Sequence, residues 1–170
     1  MVMSFPVNLL YPAKADELSP GTLLYAGDSW WLRAELINRD RNVIPKVMAL
    51  TGGRLGQMTM FSDANVLALN EEYTWQIRVS DPFATDTESS HIGAVTIGEK
   101  GNIGLWGHIY GAPYDQYCVS PSGSEVPSGT VPDFGAPKYT TYEVWVLDRK
   151  TRNPIGDRPL FTQTQTKAVE

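Results

Sequence analysis

The chain has 170 residues, 42% of apolar type and 19% charged, a folded composition that excludes a disordered or low-complexity protein and supports one hydrophobic core rather than two. Fourteen basic against nineteen acidic residues leave a formal charge of -5, which opposes a phosphate backbone and removes nucleic acid from the expected partners.

Residues 1–21 carry Pro6, Pro12 and Pro20, too frequent an interruption for a long regular element, and read as an extended N-terminal arm laid across the core or a partner. The apolar stretch from Val7 to Tyr11 lacks a basic flank and is too short for a signal sequence. No apolar run approaches the length of a membrane span, so the expectation is a soluble chain, cytoplasmic or assembled into a particle, without membrane insertion.

Thr22 to Ala26 is the first expected strand and Ser29 to Ile37 the second. In the second, Trp30, Leu32, Ala34 and Leu36 share one face while Trp31, Arg33, Glu35 and Ile37 share the other, which fits one dry and one partly wet side. Strand neighbours point to opposite sides, so Trp30 and Trp31 cannot enter the same core; one needs a second layer, a loop, a partner or a ligand to cover it. Asn38 to Asn42 reads as a polar turn, and Val43 to Leu50 as a strand that Pro45 marks as an edge or irregular one.

Thr51-Gly52-Gly53-Arg54 is a second turn, followed by a strand from Leu55 to Phe61. The glycines from Gly52 to Gly56 lack the Lys and Ser/Thr spacing of a phosphate loop. Ser62 to Leu69 reads two ways, as one or two helical turns capped by Asp63 or as the extension of a strand, and the short helix is the favoured reading. Tyr73, Trp75, Ile77 and Val79 alternate with polar residues as far as Ser80, the strongest strand signal in the chain, and a polar loop runs from Asp81-Pro82 to Ser90. Ile92 to Ile97 and Ile103 to Tyr110 form a hairpin around Gly98–Asn102, with Gly104, Gly107 and Gly111 marking a bulge or a close backbone contact.

Ala112 to Lys138 contains Pro113, Pro121, Pro127, Pro132 and Pro137 and reads as a long Pro/Gly-rich surface loop. Tyr139 to Leu147 is the last strong strand, with Tyr142, Val144 and Val146 on one face, and a short apolar return follows at Pro159-Leu160-Phe161. The expected organisation is an arm over residues 1–21, a single β-rich domain over 22–161, and a flexible C-terminal tail over 162–170. Without a helical pattern long enough for a crossover, the fold class is all-β: an antiparallel β-sandwich, jelly-roll-like or immunoglobulin-like, with a small β-barrel as the alternative.

The chemistry available is narrow. Cys118 is the sole cysteine, so neither an intrachain disulfide nor a thiolate cluster can form. His91 and His108 sit in opposite arms of the expected hairpin, outside any established ligand spacing, and no metal or cofactor is expected. A Cys118–His108 pair is the nucleophilic option for a small hydrolase, and Glu35 with Glu143, on faces that carry Trp31 and Trp145, is the paired-carboxylate option. Neither has a supporting motif, so no catalytic residue is assigned.

The aromatics carry more information. The segment LWGHIYGAPYDQY supplies Trp106, His108, Tyr110, Tyr114, Asp115 and Tyr117; with Trp31 these seven are the candidate ligand or partner contacts. Rings beside a carboxylate and an imidazole suit either a sugar or a protein surface, and they equally suit a lid over one end of the core.

The stretch AGDSWWLRAELINRDRNVIP resembles the N-terminal β-modules of tailed-phage baseplate and tail proteins, where a Gly-Asp opens an alternating strand and a polar turn follows; it departs from them in lacking the usual glycine in the turn. The resemblance spans about twenty residues, carries no catalytic or binding motif, and implies a structural role in a virion or tail. The proline-interrupted N-terminal arm, the excess of aromatics over the needs of one core and the long Pro/Gly excursion without catalytic spacing give the expected function: a non-enzymatic module for protein contact or self-association, a structural or accessory subunit of a larger assembly. A carbohydrate-binding module using the aromatic loop, a protein inhibitor and a small hydrolase are the alternatives.

Overall fold

Short alternating segments broken by glycine and Asn/Asp turns favour strands over long helices. The computed structural model describes residues 7–61, 64–79, 92–98, 101–126 and 138–164, and among these it contains thirteen strands and no α-helix. The strands are β1 (Leu10–Lys14), β2 (Leu23–Ala26), β3 (Ser29–Ile37), β4 (Val43–Ala49), β5 (Gln57–Thr59), β6 (Asn65–Leu69) and β7 (Tyr73–Arg78) in the first half. They continue as β8 (Val95–Ile97), β9 (Ile103–Ile109), β10 (Ala112–Val119), β11 (Lys138–Tyr139), β12 (Thr141–Asp148) and β13 (Phe161–Thr164).

One sheet has ten strands in the order β1-β6-β2-β3-β4-β5-β9-β8-β11, with β10 paired to β9; the other has three, in the order β13-β12-β7. Neither closes into a barrel, and the architecture is the expected all-β sandwich. The large sheet is antiparallel except where β5 runs parallel to β9. β8 pairs with the first half of β9 and β5 with its last residues, while β10 runs along most of its length.

The main core lies between the sheets. Leu23, Trp30, Leu32, Met48, Met58 and Leu105 from the large sheet meet Trp75, Ile77, Tyr142, Val144, Val146 and Phe161 from the small one. A second cluster occupies the opposite face of the large sheet, where Leu24, Trp31, Val47, Ala49, Val66 and Ala68 are joined by Ala15 and Leu18 of the N-terminal segment and by Phe61. The side of β3 expected to be partly wet is dry at Trp31 (3% exposed) and Arg33 (6% exposed), half-buried at Glu35 and open only at Ile37 (56% exposed). The Arg33 guanidinium donates through Nη1 to the carbonyls of Ala34 and Lys46, which meets part of the cost of burying the charge.

Several expected elements differ. The strand expected over Tyr139–Leu147 is divided between β11, in the large sheet, and β12, in the small one, and Thr162–Thr164 of the expected tail belong to β13, paired with β12. The helix expected at Ser62–Leu69 is β6, placed between β1 and β2, where ladder hydrogen bonds on both sides outweigh the weak local preference of five residues; Ser62 and Asp63 lie outside the described residues. The first part of the long Pro/Gly-rich loop is β10. It tolerates Pro113 because the pairing with β9 skips from Ala112 to Gln116, so proline falls where no ladder hydrogen bond is required. Within the expected arm, Leu10–Lys14 is β1 at the edge of the large sheet, where exposed Pro12 does not interrupt a central ladder. The polar loop to Ser90, and residues 127–137 of the later one, lie outside the described residues.

Candidate functional site

The β9–β10 hairpin gathers six of the seven expected contact residues and then separates them. Along β9, Ile103, Leu105 and Ile109 belong to the main core, which by the alternation of a strand sends Trp106 and His108 to the opposite face of the sheet, the side on which Trp31 lies. On β10, Tyr117 pairs with Gly107 and packs against the main core, so it leaves the contact set. Trp31 leaves it as well. Its ring meets Phe61 edge-on with centroids 4.7 Å apart, and its Nε1 donates to the carbonyl of Ala26 at 3.0 Å.

At the tip the geometry is reversed. Tyr110 and Gly111 form the turn, Gly111 taking φ +82°, a backbone conformation that suits glycine. The register jump after Ala112 leaves Pro113, Tyr114 and Asp115 as a bulge without partners in β9. All three are exposed, Tyr114 at 95%, and Tyr110 is 66% exposed. The bulge and Pro113 also blunt the hydrogen-bonding capacity of this strand edge, which disfavours strand addition and leaves the exposed side chains as the accessible groups.

Behind Tyr110 is a cavity of about 250 Å3 lined by Trp31, Arg54, Gln57, Thr59 and Tyr110. Gln57 pairs in register with His108, and Gln57 Oε1 and His108 Nδ1 are both buried without a hydrogen-bond partner among the described residues. Such atoms are satisfied by a water or a small hydroxyl.

The enzymatic options do not assemble. Cys118 pairs with Trp106 and His108 with Gln116, which sets the thiol and the imidazole diagonally on one face of the hairpin rather than directly opposite each other. Burial pushes the Cys118 thiol up to about 12, the opposite of what a nucleophile requires. Glu35 shares the outer side of the large sheet with Trp31, while Glu143 and Trp145 alternate with core residues of β12 and face outward from the small sheet. The core therefore separates the two carboxylates, and the Glu143 carboxylate accepts a 2.8 Å hydrogen bond from Trp145 Nε1. Among the described residues, no three His, Cys, Asp or Glu side chains converge on a metal position; His91 lies outside them.

A further concavity was not anticipated from the sequence. A cleft of about 740 Å3 is lined by residues of the N-terminal segment, the β6–β7 turn, the turn after β12 and the turn after β10. Its aromatic members are Tyr11, Tyr73 and Trp75, and Glu17, Asn70, Glu71 and Arg149 supply polar groups. Trp75 Nε1 donates to the Gly21 carbonyl at 2.8 Å, tying the small sheet to the N-terminal segment. Arg149 is fixed by Nε donating to the Glu71 carbonyl at 2.8 Å and Nη2 to the Tyr73 carbonyl at 3.0 Å. The only advance signal for this site was an indole N–H on the strongest strand that needed a partner across the fold.

Comparison with known proteins adds no relative: no protein-family model, curated protein or solved structure matches the chain.

Proposed function

We propose that this chain is a non-enzymatic contact module that docks on a protein partner, or on further copies of itself, through the tip of the β9–β10 hairpin, as a structural or accessory subunit of a larger assembly such as a virion or tail. The observation that carries the reading is Tyr114, 95% exposed on a bulge and flanked by the exposed Tyr110 and Asp115. Tyrosines are favoured interface anchors because they bury a large rigid area and offer a hydroxyl for the partner to bond. A three-ring sugar platform of Trp31, Trp106 and Tyr114 is less favoured, since Trp31 is sealed beneath Phe61.

The test is a photo-crosslinking residue placed at Tyr114 and, as a control, at exposed Lys150. Irradiation of the pure protein over a concentration series and of its native extract should give a discrete adduct from position 114 and none from 150. Absence of an adduct from 114 in both settings, or equal labelling at both positions, contradicts the proposal.

A further inference from the structure

We infer that the 740 Å3 cleft is a binding site for a neutral oligosaccharide, separate from the hairpin tip and independent of its role. Its volume falls within the range of ligand sites and leaves room for more than one pyranose ring. The lining disfavours two other common ligand classes. An apolar ligand would strand Glu17, Asn70, Glu71 and Arg149 against hydrocarbon. An anionic ligand would meet two carboxylates against one guanidinium.

A sugar hydroxyl donates and accepts at once, which matches this mixture. The Glu17 and Glu71 carboxylates are acceptors. Asn70 spends its side-chain oxygen on the Glu72 N–H at 3.2 Å, which leaves its amide N–H groups for a ligand. Arg149 spends Nε and Nη2 on backbone carbonyls, which leaves Nη1 on a guanidinium already locked in place. The half-buried rings of Tyr11 and Tyr73 offer apolar surface for the C–H faces of the sugar, while Trp75, buried in the core, lines the floor.

The cleft is also held in shape before any ligand arrives. Gly21 and Gly123 approach so closely that a methyl group on Gly123 would collide with the Gly21 nitrogen and the Arg33 carbonyl, and Gly21 in turn accepts from Trp75. The wall between the N-terminal segment and the small sheet therefore has little freedom to collapse.

The experiment is titration of the full chain with maltotriose, cellotriose and tri-N-acetylchitotriose, followed by calorimetry and by tryptophan fluorescence. At least one should bind at millimolar concentration or below and perturb tryptophan emission. Glu71→Ala, which keeps the backbone carbonyl used by Arg149, and Glu17→Ala should each weaken binding about tenfold, with unchanged circular dichroism. Arg149→Lys, which loses the fork but keeps the charge, should weaken it as well. Failure of all three sugars to bind, or binding that survives the Glu17→Ala/Glu71→Ala pair, overturns the inference. Preferential binding of a lysine-rich peptide by the same cleft overturns it too.

Discussion

Trp30 and Trp31, neighbours in β3, serve two different hydrophobic clusters. Trp30 stacks on Phe161 across the sandwich at 5.9 Å, whereas Trp31 points through the other face of the large sheet to Phe61 at 4.7 Å. The second cluster gives the N-terminal segment a structural reason to lie where it does, because Ala15 and Leu18 close over the same side.

Trp31→Ala should therefore destabilise the fold by about 3–5 kcal/mol, as removal of a buried tryptophan does. Urea denaturation checks this. A loss below about 1 kcal/mol would mean the indole is not packed as described.

Tyr142 is wholly buried, and its hydroxyl has no hydrogen-bond partner among the described residues. Tyr142→Phe should raise stability by about 1 kcal/mol, because a desolvated hydroxyl without a partner is removed and the ring is kept. A fall of that size in the denaturation midpoint would show that the hydroxyl is bonded in solution.

Cys118 gives the fold an alkaline limit. Burial raises its thiol from 9.0 to about 12, so above pH 9 the unfolded chain releases this proton while the folded chain keeps it. Stability is complete below the unfolded value and falls as the pH rises from about 9 towards 12. Burial raises the Tyr142 phenol as well, adding to the loss above pH 10. Stability measured against pH should decline less steeply in Cys118→Ala than in the natural chain. A thiol reagent at pH 8 should leave the folded protein unmodified and label it in urea.

Gly123 takes φ +83° against the backbone of Gly21 and Arg33. Gly123→Ala combines a disfavoured backbone conformation with a collision against main-chain atoms that cannot rotate away, and should cost more than about 2 kcal/mol. Gly111→Ala, also at positive φ but with open space around its added carbon, should cost less. Parallel thermal denaturation of the two variants distinguishes packing from backbone strain, and equal losses would refute the close approach.

The long strands were legible because their alternation is uninterrupted: β3, β7 and β12 show the expected core faces, through Trp30 and Leu32, Trp75 and Ile77, and Tyr142, Val144 and Val146. β1 and β10 were hidden by Pro12 and Pro113, whose cost disappears at a sheet edge and in a bulge, neither of which exists until strands pair. Tyr117 and Tyr114 show the same limit within one segment. The jump in register between Ala112 and Gln116 leaves one ring on the core and the other in solvent, and nothing in the order of residues fixes where that jump falls. The cleft was invisible for a related reason. Tyr11, Gly21, Trp75 and Arg149 are far apart in the chain and meet only through sheet packing.

The most direct test of the contact-module account is hydroxyl-radical footprinting of the tyrosines, read by mass spectrometry, in the isolated chain and in the larger assembly that the proposal requires. Tyr114 and Tyr110 should be labelled fastest in the isolated chain and become strongly protected in the assembly, while Tyr142 stays unlabelled in both. Undiminished labelling of Tyr114 and Tyr110 in the assembly, with protection falling elsewhere on the surface, would contradict the hairpin tip as the point of contact.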